Sequence, residues 1–154
     1  MNNQTPFVLM ANAFRARVVK IWIIRTDLSA AQGAEKLTKT AVEHGFIRRD
    51  KPVFGTTLTS WTKGEIDTPL WAAKAALLLL IESGWIPDND EEWAGFAAIF
   101  FAMQKTKELK ELLDKLPIAF SSHVAISGWL CAAIEEQERF KAVKQYEIKW
   151  GKPI

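Results

Sequence analysis

Cysteine and histidine are scarce in this chain of 154 residues. The single cysteine, Cys131, excludes an intramolecular disulfide and indicates a reducing compartment, so we expect a cytoplasmic protein. The two histidines, His44 and His123, have no second His or Cys at metal-ligand spacing, which argues against a metal site. Because GxGxxG and GxxxxGK[ST] motifs are also missing, we expect no enzyme, no cofactor and no small-molecule ligand.

Long uninterrupted apolar runs are missing as well. The longest lie at 70–81, where Lys74 interrupts the run, and at 93–103. Both are shorter than the ~20 residues that a membrane-spanning helix needs. The opening residues, MNNQTP, lack the basic start of a secretory signal peptide. We therefore expect no membrane partner, with surface binding through the first helix as a weaker alternative.

Positive charge is concentrated in the first half of the chain. Residues 1–87 carry 11 Lys/Arg and 7 Asp/Glu, whereas residues 88–154 carry 9 and 11. Because affinity for nucleic acid comes largely from neutralised phosphates, DNA would bind to the N-terminal half. Chance asymmetry is the alternative interpretation of the charge pattern alone.

Apolar periodicity and capping residues predict an all-α fold. Residues 6–25 have apolar side chains at helical spacing, and no second strand-forming segment is available to pair with their β-branched part. Glycines after His44, Lys63 and Ser83 are typical helix stops. Further helices are predicted over 29–44, capped by Asp27 or Ser29, and over a short segment that is capped by Thr56 or Thr57 and ends at Gly64. Asp67 or Thr68, followed by Pro69, starts a helix over 69–83. The last two predicted helices cover 90–116 and the residues from a cap at Ser121 or Ser122 to about 149.

The most informative segment is VFGTTLTSWTKGEIDTPLWAAKAALLLL, residues 53–80. Leu58 and Trp61 are three residues apart in its short helix and therefore point inward together. Small hydroxyl side chains and one lysine then occupy the other faces, and these groups suit the base edges and phosphates of a major groove. The alternative is a surface helix with solvated hydroxyls.

This segment resembles the recognition helix and following helix of the phage-repressor-like (Cro/C1, XRE-type) helix-turn-helix family. The resemblance lies in Trp61, Gly64 and Pro69 within LTSWTKGEIDTPLWAAKAALLL. LSAAQGAEKL (28–37) similarly resembles the scaffold helix of that family, with Ala31, Ala34 and Leu37 expected to face the core. The match covers at most residues 15–83, and a long insertion between Leu37 and Gly55 departs from the tight turn of the family.

The resemblance implies a sequence-specific, DNA-binding transcriptional regulator of phage or mobile-element origin that binds double-stranded DNA. Carried over residue by residue, it implies DNA contacts from Thr56, Thr57, Thr59, Ser60 and Lys63. The insertion adds Arg48, Arg49 and Lys51, which would be natural phosphate clamps beside a recognition helix. An ordinary solvated loop is the alternative interpretation of these three residues.

The acidic turn at 87–92 divides the chain into two predicted regions. Residues 1–86 form the helix-turn-helix DNA-binding region, and residues 87–154 form a helical packing and dimerisation region. The pair Phe100–Phe101 makes the apolar surface wider than a one-sided stripe. Since helix-turn-helix proteins commonly read two half-sites as dimers, we expect a homodimer, with a monomeric core as the alternative. The competing functional hypothesis is a non-enzymatic protein–protein interaction module, such as a phage inhibitor or adaptor, that retains the helix-turn-helix shape.

Overall fold

The computed structural model describes residues 4–121 and 124–150, and this part of the chain is helical and contains no strand. The all-α prediction is thereby confirmed. None of the described helices has both the length and the apolar character that crossing a bilayer requires. The helices are α1 (Pro6–Ile23), α2 (Ala30–Glu43), α3 (Gly55–Thr62), α4 (Leu70–Glu82), α5 (Asp90–Ala102), α6 (Leu109–Asp114), α7 (Ile118–Ser121) and α8 (Ile126–Trp150).

The start of α2 and the end of α3 follow from local chemistry that the sequence displays. Ser29 Oγ accepts the backbone N–H of Gln32 at 3.2 Å, while Gln32 Oε1 accepts that of Ser29 at 2.9 Å, which completes a capping box. Gly64 ends α3 with a φ of 73°, a conformation that side chains disfavour. Gly64 was the predicted stop and is confirmed, and of the two predicted caps, Asp27 and Ser29, the structure shows Ser29.

Four predicted helix boundaries are wrong. Neither Asp67 nor Thr68 caps α4, because the helix begins at Leu70 and Pro69 is its N-cap, without a side-chain hydrogen bond. Neither Thr56 nor Thr57 caps α3: the helix begins at Gly55, and Phe54 is its N-cap without a side-chain hydrogen bond. The predicted helix over 90–116 is broken by residues 103–108, where Thr106 Oγ1 accepts the backbone N–H of Glu108 at 3.1 Å and competes with helical bonding. Ser121 does not cap the last helix, because it is the final residue of α7 and the last helix starts at Ile126. The other predicted cap, Ser122, lies outside the described residues.

The core is one cluster of buried side chains that spans both predicted regions. α1 packs against α4 and α5, and α5 packs in turn against α8. Phe14 of α1 is fully buried and its ring stacks on Trp85 at 5.8 Å, while Phe96 of α5 meets Phe120 at 4.6 Å. α3 lies on α1 and α2 at the outside of this arrangement, so one of its faces remains free for a partner.

The inner stripe of α2 differs in one position from the prediction. Ala34 and Leu37 are fully buried, as expected, but Ala31 is exposed. The buried stripe continues instead through Thr38 and Ala41, four residues beyond Ala34 and Leu37. Ala31 belongs to the first turn of α2, where its backbone, rather than its side chain, meets α3.

Candidate nucleic-acid interface

The inner side of α3 is held by two apolar side chains. Leu58 and Trp61 are 2% and 4% exposed, as their three-residue spacing predicts. The Trp61 indole meets Trp71 of α4 edge-on, with ring centroids 5.6 Å apart. Leu58 lies over Gly33 of α2, where an added Cβ would be 3.5 Å from its Cδ1. These contacts fix the direction in which the opposite face of α3 points.

The outer face of α3 gathers four of the five predicted contact residues. At 3.6 residues per turn, Thr56, Thr59, Ser60 and Lys63 fall within an arc of about 100°. Thr56 and Lys63 are exposed, and Thr59 and Ser60 are half-buried. Thr57 falls outside this arc and lies beside the inner stripe. We call these four residues the hydroxyl face.

The hydroxyl groups of this face are not equivalent. Thr59 Oγ1 donates to the carbonyl oxygen of Gly55 at 3.0 Å, which uses its proton and leaves its lone pairs to accept. The hydroxyls of Thr56 and Ser60 make no hydrogen bond within the described part of the chain. They can therefore both donate to and accept from an external group, whereas Thr59 retains only its acceptor capacity.

The first turns of α2 and α3 touch each other. A Cβ added to Gly55 would be 2.9 Å from the backbone nitrogen of Ala31 and 3.1 Å from the carbonyl carbon of Ala30. This close approach brings together two helix N-termini, each of which carries a positive partial charge. The positive ends of both helices thus lie next to the hydroxyl face.

Phe54 was missed by the sequence analysis. It precedes α3 directly and is 79% exposed, an unusual position for a large aromatic ring. Its place beside Gly55 puts it at the junction of the two helix N-termini. The signal was present, since a phenylalanine adjoins the hydroxyl-rich segment, but Phe54 lies in the insertion before Gly55, where the sequence analysis assigned a role only to the basic residues.

The basic loop lies along α2 rather than over α3. Arg48, Arg49 and Lys51 are all exposed, and Arg49 Nε donates to the carbonyl oxygen of Lys51 at 3.0 Å. Residues 49–52 border a cavity of about 270 Å³ whose other wall is α2, including Glu35 and Glu43. The structure therefore surrounds Arg49 and Lys51 with mixed charge, and no described contact joins the three basic residues to the hydroxyl face.

Both ends of the 44–54 loop are anchored. At its start, Phe46 stacks on His44 at 5.6 Å, and Lys74 Nζ of α4 lies 5.5 Å from the centre of the Phe46 ring. At its end, the backbone N–H of Val53 donates to Thr38 Oγ1 at 3.3 Å. Residues 38–43 of the insertion thus extend α2, and residues 44–54 form a loop that is fixed to α2 and α4 on either side of its basic residues.

Comparison with protein-family models, with curated proteins and with solved structures finds no match for this chain. A functional interpretation therefore depends on the geometry of α3 and its surroundings.

Proposed function

We propose that this chain is a sequence-specific, DNA-binding transcriptional regulator that acts as a homodimer. The observation that carries the proposal is the division of α3. Leu58 and Trp61 hold it from inside, and a compact face of small hydroxyls and one lysine points outward. A recognition helix needs this division, because the apolar side fixes its angle while the polar side enters the groove.

The dimensions and chemistry of α3 suit a major groove. An α-helix with its side chains is about 10–12 Å across, close to the width of that groove in B-DNA, and the eight residues of α3 provide about two turns to lie along it. Thr56 and Ser60 would donate to or accept from base edges, and Thr59 would accept a hydrogen bond from a base edge. Lys63 would pair with a phosphate or a guanine edge. The exposed Phe54 ring would meet thymine methyl groups at the entrance of the helix.

Affinity would come mainly from the basic loop. Arg48, Arg49 and Lys51 are exposed on the loop that runs along α2 and ends at the start of α3. Neutralising phosphates with these residues would release counterions from the duplex. Affinity and sequence preference are thereby assigned to different residues.

Arg48→Ala and Arg49→Ala are expected to weaken binding to every duplex to the same extent. Each lost phosphate contact should lower the slope of log affinity against log salt concentration by about 1. Fluorescence anisotropy on a mixed-sequence duplex over a salt series measures both quantities. Lys110→Ala, which removes an exposed charge from α6, is the matched control. Parental affinity and slope in both arginine variants would refute the role of the loop.

Thr59→Ala and Ser60→Ala are expected to reduce sequence preference while leaving mixed-sequence binding unchanged. A lost base contact should narrow the difference between preferred and mixed duplexes by about 1–3 kcal/mol. The preferred duplex is first obtained by selection from a random pool. Thr62→Ala is the control, because its hydroxyl lies outside the hydroxyl face and donates to the carbonyl oxygen of Thr59 at 2.8 Å. Failure to enrich any duplex would reject the proposed function in favour of a protein-interaction module.

A further inference from the structure

The second half of α8 extends beyond the fold. Its first half is held by buried Ile126, Leu130 and Ala133, which face α5 and α6. From Gln137 to Gln145, by contrast, every residue is exposed. The helix continues to Trp150, so this segment of 14 residues projects about 21 Å. Most helical stability in proteins comes from packing, which the exposed residues of this segment largely lack within one copy of the chain.

An apolar groove opens where α8 leaves the fold. It encloses about 290 Å³ between the first turns of α1, the end of α5 and the middle of α8. Phe7, Val8 and Phe101 line its base, and Phe140 forms its outer edge with 60% of the residue exposed. Val143, one turn further along α8, is 49% exposed. Phe140 and Val143 therefore extend the apolar lining of the groove onto the projecting part of α8.

Phe140 has a negatively charged residue before it and a positively charged residue after it on α8. Glu136 precedes it by four residues and Lys144 follows it by four, so all three share one face of α8. Glu136 pairs with Arg139 at 3.0 Å, and Lys144 Nζ lies 5.7 Å from the centre of the Phe140 ring. These contacts are exposed and add little stability, so a stronger partner can replace them.

The order of charges along this face makes two copies of α8 complementary to each other when they run antiparallel. In an antiparallel pair of α8 helices centred on Phe140, Glu136 of each copy lies opposite Lys144 of the other. In a parallel pair in register, Glu136 would face Glu136 and Lys144 would face Lys144, which is repulsive. A closed two-fold interface requires such a self-complementary surface.

We propose that the projecting half of α8 docks antiparallel against the same segment of a second copy of this chain. The two Phe140 rings meet at the two-fold axis. Residues after Val143 of one copy then lie over the groove at Phe7 and Phe101 of the other. This inference specifies the homodimer part of the proposed function and is independent of whether the chain binds DNA.

Replacing the central ring tests the surface. Sedimentation velocity of the full chain, without DNA and over a concentration series, should show dimerisation that Phe140→Asp weakens about tenfold or more, because a carboxylate would face the partner's apolar surface. Ile118→Asp is the control, since Ile118 is 91% exposed on α7, away from the groove. Circular dichroism confirms that each variant is folded. A parent that stays monomeric at its highest concentration, or a Phe140→Asp variant that dimerises like the parent, overturns the proposal.

Charge reversal tests the antiparallel direction. Glu136→Lys and Lys144→Glu should each weaken dimerisation several-fold, and the double variant should recover the parental dissociation constant. In a parallel pair the double variant would dimerise no more tightly than the single variants. That result would exclude the antiparallel geometry. Because no DNA is present, these outcomes are separate from enrichment in the duplex selection, and either proposal can fail alone.

Discussion

Trp61→Ala is expected to lower the free energy of unfolding by about 3–5 kcal/mol, the usual cost of removing a buried aromatic ring. Trp61 is 4% exposed and meets Trp71 edge-on at 5.6 Å, so its removal leaves a cavity between α3 and α4. A domain of this size is stable by only about 5–15 kcal/mol in total. The variant should therefore unfold at a much lower urea concentration than the parent.

Phe54→Ala is the matched control for this prediction. Phe54 is an aromatic residue at the start of the same helix, but it is 79% exposed, so its removal should change stability by less than about 0.5 kcal/mol. Urea unfolding followed by circular dichroism, at one fixed protein concentration, compares the two variants. Equal losses of stability in Trp61→Ala and Phe54→Ala would show that the indole does not anchor α3.

Local chemistry explains which parts of the fold the sequence predicted. The cap at Ser29 and the stop at Gly64 depend on groups a few residues apart, so their patterns can be recognised in one dimension. The break after Ala102 could not be predicted in the same way. Residues 104–108 are compatible with a helix, and the apolar spacing resumes at Leu109, so only the Thr106–Glu108 bond marks the interruption.

In the candidate site, the features that depend on neighbouring residues could be predicted, and those that depend on distant parts of the chain could not. The hydroxyl face follows from the three-residue spacing of Leu58 and Trp61, and the structure places four of the five predicted residues on it. The start of α3 at Gly55 depends on contact with Ala30 and Ala31, about 25 residues away along the chain. Such contacts between distant segments leave no periodic signal in the sequence.

The position of the basic loop has a similar long-range origin. Val53 bonds to Thr38, and Phe46 lies beneath Lys74, so α2 and α4 together determine where the arginines lie. Proximity in sequence predicted that Arg49 and Lys51 would flank α3. The structure instead aligns them with α2, beside Glu35 and Glu43, so a duplex on the hydroxyl face would have to extend past the start of α2 to reach them.

The contact between α1 and α5 joins the two predicted regions and accounts for the second large effect that we expect. Gly95 of α5 lies directly against the ring of Phe14, and a Cβ at this glycine would overlap with that ring. Both residues are buried within the core. Gly95→Ala should cost about 1–3 kcal/mol through overpacking, and Phe14→Ala about 3–5 kcal/mol through the cavity it leaves.

Combining the two changes should recover part of this loss. In Phe14→Ala the overlapping ring is gone, so the added methyl group of Gly95→Ala occupies space that would otherwise be empty. We expect the double variant to be about as stable as Phe14→Ala alone, a coupling of about 1–3 kcal/mol in urea unfolding. Gly128→Ala is the control for helix propensity, because nothing lies within 4 Å of its added Cβ on α8, and it should leave stability unchanged or slightly raised. Additive losses in the double variant would mean that α1 and α5 do not meet at these residues, and the two regions would then have to be joined through other contacts.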